Sequence, residues 1–181
     1  MTNEIIDACC LINLFASGKV ESILQCWRAS HFVSQQVLQE SLTIRQPDPD
    51  DQSVLVSVPV DATELMKSGL LELCEFEASS ETQLFVEFAT LIDDGEASCL
   101  AIAKSRDWTV ATDDRKAIRL ANESGIDVVT TPELLQRWVK VAAPPNNDIS
   151  NVIKNIERFA RFRLGRNSEH GEWWNMQKSP G

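Results

Sequence analysis

Short apolar runs alternate with segments of helical spacing along the 181-residue chain, and this alternation restricts the fold more than any other feature. EIIDACCLINLF reads as a buried strand entering a helix that continues through SGKVESILQCW. HFVSQQVLQES repeats the pattern, with an apolar start at Phe32 and Val33 and a helix bearing Val37, Leu38 and Glu40. RQPDPDDQ is polar and proline-containing, and reads as a loop. SVLVSVPV and LLELCEF are β-rich, with room between them for a short helix, and WTVAT and IDVVTT are short apolar runs. TQLFVEFATLI, GEASCLAIAKS and DRKAIRLANES have helical spacing, and PELLQRWVKV opens on a proline, which a first helical turn tolerates. Strands alternating with helices predict an α/β fold, a three-layer α/β/α sandwich around a mainly parallel central sheet.

Composition narrows the class further. No long uncharged apolar run could span a bilayer, and Glu4 and Asp7 stand where a secretion signal would need basic residues and a clean apolar stretch. The five cysteines are odd in number, scattered and without a CxxC pair, so neither a zinc ribbon nor a disulfide framework is indicated. Reduced core cysteines in a cytoplasmic protein are the expectation. The formal charge of −10 argues against a chain that holds nucleic acid simply by being basic. That charge is uneven. Residues 141–181 carry six Lys/Arg against four Asp/Glu, which leaves eleven against twenty-three in the first 140.

Asp7 interrupts an apolar run, where a carboxylate costs several kcal/mol to desolvate unless it is paired, hydrogen-bonded or bound to a cation. It could simply cap the following helix. In parallel sheets, however, functional groups gather at the carboxyl ends of the strands. Asp7 ends the first strand, and Asp113 and Asp114 follow WTVAT. Glu96 opens a helix and Glu40 follows the second strand, while Asp93 and Asp94 read as caps. Four separate segments thus deliver acids to helix starts or strand ends, more than capping requires. Packed carboxylates repel unless protons or cations neutralise them. An all-oxygen set without His or Cys suits Mg²⁺ or Mn²⁺ rather than zinc, and such a cation suits phosphodiester hydrolysis.

These residues resemble the PIN-domain family. IIDACCLINL resembles its opening, VLQE its second acidic motif, GEASCLAIA its third and VATDDRKAIRLA its fourth, in order over roughly residues 4 to 140. The resemblance implies a PIN-like catalytic domain over 1–142, followed by a C-terminal helix and tail over 143–181. It implies a Mg²⁺- or Mn²⁺-dependent endoribonuclease of the VapC-like, GEA…TDD type, found in toxin–antitoxin pairs. An RNA substrate, a cognate antitoxin and a homodimer would be its partners. Carried over by position, Asp7, Glu40, Glu96, Asp113 and Asp114 would be catalytic and hold the metal. The family's pattern favours Asp114 within the doublet, with Thr112 as a supporting hydroxyl. The family usually has Ser, Thr or Asn two positions after the first aspartate, whereas this chain has Cys9, a poor hydrogen-bond partner. The lost support would have to come from Asn13 or a backbone amide. A non-catalytic PIN-like module that binds RNA or protein is the alternative. A phosphatase-like or receiver-like protein lacks the acid-rich first loop and the later lysine that it would need.

His31 reads as a surface residue at a strand start, and His170 has no helical partner. The tail sequence ISNVIKNIERFARFRLGRNS carries an apolar stripe of Ile149, Val152, Ile153, Ile156, Phe159 and Phe162. Lys154, Arg158, Arg161, Arg163 and Arg166 decorate it. Docking of the stripe, a grip on RNA phosphates, and a dimer or antitoxin contact are its three readings. Trp173 and Trp174 are expected to anchor against something.

Overall fold

The computed structural model describes residues 2–27, 29–165 and 168–178; Arg166 lies outside them. Five strands form one all-parallel sheet, flanked by helices as the sequence predicts. They are β1 (Thr2–Ile6), β2 (Ala29–Ser34), β5 (Glu72–Cys74), β6 (Thr109–Ala111) and β7 (Val128–Val129), in the order β5-β2-β1-β6-β7. β1 is central. The chain first builds outward from it through β2 and β5, then returns to its other side with β6 and β7. The order therefore reverses between β1 and β6, and in open parallel sheets ligands bind beyond the strand ends at such a reversal.

The chain divides into two compact units. The first comprises Met1–Leu11, Arg28–Ser41 and Asp61–Thr131 and contains the whole parallel sheet. Its helices include α3 (Gln35–Gln39), α4 (Thr63–Lys67), α5 (Ser79–Ala89), α6 (Asp94–Arg106) and α7 (Arg115–Glu123). From Ala97 to Ala103 every residue of α6 is buried, and the helix packs on β1, β2, β6, α3, α5 and α7. A helix apolar all round belongs at the centre of a core. Below it lie Ile5, Ile6, Val33, Val110, Ala111 and Val129, near-continuous apolar strand residues as a parallel sheet requires. Cys10, Cys74 and Cys99 are buried and, like Cys9 and Cys26, unbridged.

His31 departs from expectation. It is buried within β2, directly across from Glu4 of β1, with Nε2 3.6 Å from Oε2. Register rather than sequence spacing places these two polar residues together in the core. A second buried charge sits at the end of α6. Arg106 donates to both oxygens of Glu81 at 2.6 and 3.0 Å, to Glu77 at 3.3 Å and to the Glu75 carbonyl at 2.7 Å. Its guanidinium also lies 5.0 Å from the centre of the Trp108 ring, which stacks on Phe32.

The second unit comprises Ile12–Trp27, Leu42–Val60 and Pro132–Gly181. The expected single long first helix is instead two, α1 (Ala8–Ala16) and α2 (Val20–Gln25), separated by Gly18 at φ +69°. That backbone conformation is one glycine adopts freely. The expected loop at RQPDPDDQ is partly a strand. β3 (Thr43–Pro47) pairs antiparallel with β4 (Leu55–Pro59), forming a separate two-stranded sheet. Pro47 and Pro59 each close the end of an edge strand, where a missing N–H costs no ladder bond. The helix α8 (Thr131–Ala142) carries Pro132 in its first turn, and Arg137 lies 3.8 Å over the Trp27 ring. In the tail, α9 (Asn146–Asn155) continues into a π-helical turn (Ile156–Ala160), and α10 (Gly171–Lys178) packs on α9. Ile149, Val152, Ile153 and Ile156 are buried, as is Trp174, whose ring meets Phe162 edge-on at 5.6 Å. Trp174 is thus the anchor of the last helix. Among the described residues no helix is long and apolar enough to cross a membrane.

Removal of Arg106 would leave the buried Glu81 carboxylate only the Glu77 and Ala78 amides as partners, and breaking a buried ion pair costs up to roughly 3–5 kcal/mol. Arg106→Ala is expected to lower the urea midpoint accordingly, and Arg106→Lys to recover only part, because an ammonium cannot span both oxygens. Equal stability of the alanine and native proteins would refute this.

Candidate active site

Asp7 stands between β1 and α1, at the carboxyl end of the central strand, and is 1 % exposed. Its own N–H donates to the Ala111 carbonyl of β6 at 3.0 Å, which draws the two strand ends together. Three donors reach its carboxylate. The Ala8 amide meets Oδ1 at 2.6 Å, while the Thr112 hydroxyl and the Cys9 thiol meet Oδ2 at 2.8 and 3.2 Å. Burial nonetheless pushes the Asp7 carboxyl above its ordinary range, against the pull of these hydrogen bonds.

Cys9 is not an idle departure from the family's pattern. Besides donating to Asp7, its sulfur accepts the Asp113 amide at 3.2 Å and lies 3.6 Å from the Thr112 oxygen. Burial first, then the charges of Asp7 and Asp113, raise its pKa and keep the thiol protonated. A protonated thiol is a donor, so Cys9 takes up the supporting position that a hydroxyl would hold. The support expected from a backbone amide is also present, at Ala8. Thr112, fully buried, does more than support: it donates to Asp7 and accepts the Asp114 amide at 3.2 Å.

Glu96 is the third residue of α6, half-buried, and its pKa is pushed up to about 8. Burial is the main cause, followed by the charges of Asp93, Asp114, Asp7 and Glu40. Glu40 follows α3 directly and is also raised, by burial and then by Asp93, Asp7 and Asp94. It lies at the carboxyl end of its helix, the wrong end for a carboxylate to gain from the helix dipole, so capping does not explain it. Asp93 caps α6 by accepting from the Glu96 amide at 3.3 Å, as the sequence suggests for it. Its charge also bears on Asp7, Glu40 and Glu96 alike, which a reading of it as a cap alone misses.

The doublet separates. Asp114 caps α7, accepting from Lys116 N and Ala117 N at 2.7 and 3.0 Å, and its charge reaches Glu96. Asp113 turns to the start of α8, accepting both the amide and the hydroxyl of Thr131. Gly95, absent from the sequence-derived set, makes room for Glu40. A Cβ built on it would stand 1.8 Å from Glu40 Oε1 and 3.0 Å from Cδ. The signal was present in the sequence, since glycine is a poor choice at the second position of a well-formed helix.

Burial and then other carboxylates lead the Glu40 and Glu96 shifts, whereas at Asp7 burial leads, three hydrogen bonds oppose it and Asp93 adds to it. An all-oxygen donor set of this kind suits a hard divalent cation. Among the described residues no three acid, histidine or cysteine side chains already form a ligating cage. The carboxylates share an electrostatic field without sharing a coordination sphere.

A family model described as a PIN domain matches residues 4–168. The chain belongs to the PIN-domain family. Neither the curated proteins nor the solved structures give a match to the chain. PIN domains are generally nucleases and commonly use divalent metals. The family match runs beyond residue 142 and takes in α9, the π turn and the segment that follows.

Two expectations follow. Gly95→Ala would improve helix propensity, so the fold should persist, with the exposed Glu40 side chain swinging aside. Mn²⁺ affinity is then expected to fall roughly tenfold, the scale of losing a supporting contact, with little change in Tm. Isothermal titration beside calorimetry separates the two, and unchanged affinity would remove Gly95 from the site. Second, Glu96 holds its proton in the cation-free fold up to a pH of about 8 but releases it near 4.5 when unfolded. The folded chain therefore binds more protons across that window, and stability falls as pH rises through it. The Tm of the cation-free protein should decline from pH 5 to 8, and Glu96→Gln should flatten that decline.

Proposed function

We propose that this PIN domain is a Mg²⁺- or Mn²⁺-dependent endoribonuclease. The observation that carries the reading is the common field of Asp7, Glu40, Glu96 and Asp114, delivered by four segments at the reversal of strand order. Bound there, a divalent cation supplies Lewis acidity toward a phosphodiester and activation of the attacking water. Asp7, Glu40, Glu96 and Asp114 are the residues that would hold it. Asp7 is held in orientation by Ala8, Thr112 and Cys9. At neutral pH Glu96 carries a proton that cation binding must displace. That exchange makes affinity rise with pH up to about 8. Asp113, committed to Thr131, would shape the floor of the site rather than hold the cation.

The alternative of a non-catalytic module took its motive from Cys9, and the thiol's bond to Asp7 removes that motive. The toxin role, a cognate antitoxin and a homodimer rest on the family resemblance alone. A cytoplasmic location is in keeping with five unbridged cysteines.

The test is cleavage of a mixed RNA pool in Mn²⁺ by the native protein and by Asp7→Asn, Glu96→Gln, Asp114→Asn and Asp113→Asn. The first three are expected to lose at least roughly a hundredfold, the upper range for loss of a supporting partner. Asp113→Asn should retain far more. Cleavage that survives chelation, or that all four variants keep, would overturn the proposal.

A further inference from the structure

The second unit contains a recess of about 440 Å³ lined by Lys154, Glu157, Arg158, Arg163, Leu164 and Lys178. Four of those six residues are cationic in a chain whose formal charge is −10. Three elements build it. Lys154 and Arg158 stand one helical turn apart, across the junction of α9 with its π turn. Arg161, at φ +59°, then ends the helix in a left-handed conformation that costs a non-glycine residue about 1 kcal/mol or more. The reversal brings Arg163 and Leu164 to the recess, and α10 contributes Lys178. π-helical turns of this kind recur at functional sites.

The single acid of the recess is already occupied. Glu157 Oε1 accepts from Lys178 Nζ at 2.8 Å and from the Trp174 indole at 2.9 Å. Burial would push the Glu157 carboxyl up, but Lys178, Trp174 and the Arg163 charge outweigh it and hold it below its ordinary range. The Ser150 hydroxyl fixes the other end of this clasp by donating to the Lys178 carbonyl at 2.9 Å. Lys154, Arg158 and Arg163 remain exposed to solvent, with the Arg158 guanidinium 5.3 Å from the centre of the Phe159 ring. Three solvent-exposed cations beside an acid already held by Lys178 and Trp174 suit a polyanion.

We propose that this recess binds the phosphate backbone of an RNA strand through Lys154, Arg158 and Arg163. RNA as the polyanion rests on the ribonuclease reading; the anionic character of the ligand rests on the recess alone. The first 140 residues carry a net charge of −12 and repel a nucleic acid. Affinity for it has to be supplied by an element of opposite sign, and guanidinium groups pair with phosphate in bidentate fashion. Lys154 and Arg158 on consecutive turns, with Arg163 brought in beyond the helix end, suit a chain of phosphates better than one small anion.

The experiment reads binding with cations chelated, so cleavage does not enter. Fluorescence anisotropy of a labelled oligouridine would be followed against salt, using the full chain. Three phosphate contacts predict a slope of log affinity on log salt near −2, at roughly −0.7 per contact for single strands. Arg158→Gln with Arg163→Gln should bring it to about −0.7 and weaken binding at low salt at least tenfold. Lys67→Gln with Lys140→Gln, the same charge change at exposed positions outside the recess, should leave both near native values. The recess is excluded by an unchanged slope in the arginine variant, by an equal loss in the lysine control, or by no binding to the native chain. A polyglutamate peptide competing as well as RNA at equal charge would assign the recess to an acidic protein segment and overturn the proposal. RNA binding that the arginine variant loses, in a protein that cleaves nothing, would uphold the recess and sink the nuclease reading.

Discussion

The carboxylate of Asp7 is the constraint on which the site depends. A charge buried at the end of a central strand costs several kcal/mol unless donors replace the water it has lost. Two donors are local, the first amide of α1 and the thiol one residue further, and the third, the hydroxyl that follows β6, is brought by the sheet. The Thr112 bond requires β6 to lie beside β1, in the register that pairs Ile6 with Ala111. Shifting that register by one residue would turn Thr112 to the opposite face and leave Asp7 without its best donor. The pairing that creates the reversal of strand order thus also makes the buried acid tolerable.

The other acids are held by different means, and the differences explain their electrostatics. Asp93 and Asp114 sit at helix starts, where backbone amides and the helix dipole stabilise negative charge. Such positions let a protein accumulate acids at little cost, which is why helix-start acids alone are weak evidence of a site. Glu96 lies in the first turn of α6, where the dipole favours an acid, yet burial and four other carboxylates still raise its pKa. Glu40 sits at a helix end that disfavours it and rests on a glycine that leaves it room. These two carry the stored repulsion, and a cation or a proton relieves it. The sharper argument for a site is therefore the pair of glutamates whose pKa neighbouring carboxylates raise, rather than the number of acids.

Much of this was legible from periodicity and spacing, because the parallel sheet leaves long apolar runs and the acids fall next to them. What was not legible depends on register or on side-chain direction. His31 looks like a surface residue until parallel pairing sets it against Glu4 inside the sheet. The prolines of RQPDPDDQ signal a loop, yet Pro47 ends a hairpin strand and interrupts nothing, while Pro49 lies beyond it in the connection to β4. Asp113 and Asp114 are adjacent and chemically identical; only the position of Thr131 decides that the first turns away. Cys9 reads as a loss because a thiol is a weaker donor than a hydroxyl. In a desolvated site that keeps it protonated, a weaker donor still points its hydrogen at the nearest carboxylate.

The uneven charge of the chain follows from the same physics. A site made of unneutralised carboxylates is hostile to a polyanionic substrate, and nearby lysines would relieve the repulsion only by competing for the acids as partners. Keeping cations out of the carboxylate field preserves it for a divalent ion, which neutralises more charge than one lysine and polarises a phosphate as well. The acids of the candidate site belong to the first unit and the proposed phosphate recess to the second. In the recess Glu157 is held by Lys178 and Trp174, and Lys154, Arg158 and Arg163 are exposed to solvent. Separation of the two signs along the chain is what the proposed recess requires of a strongly acidic protein.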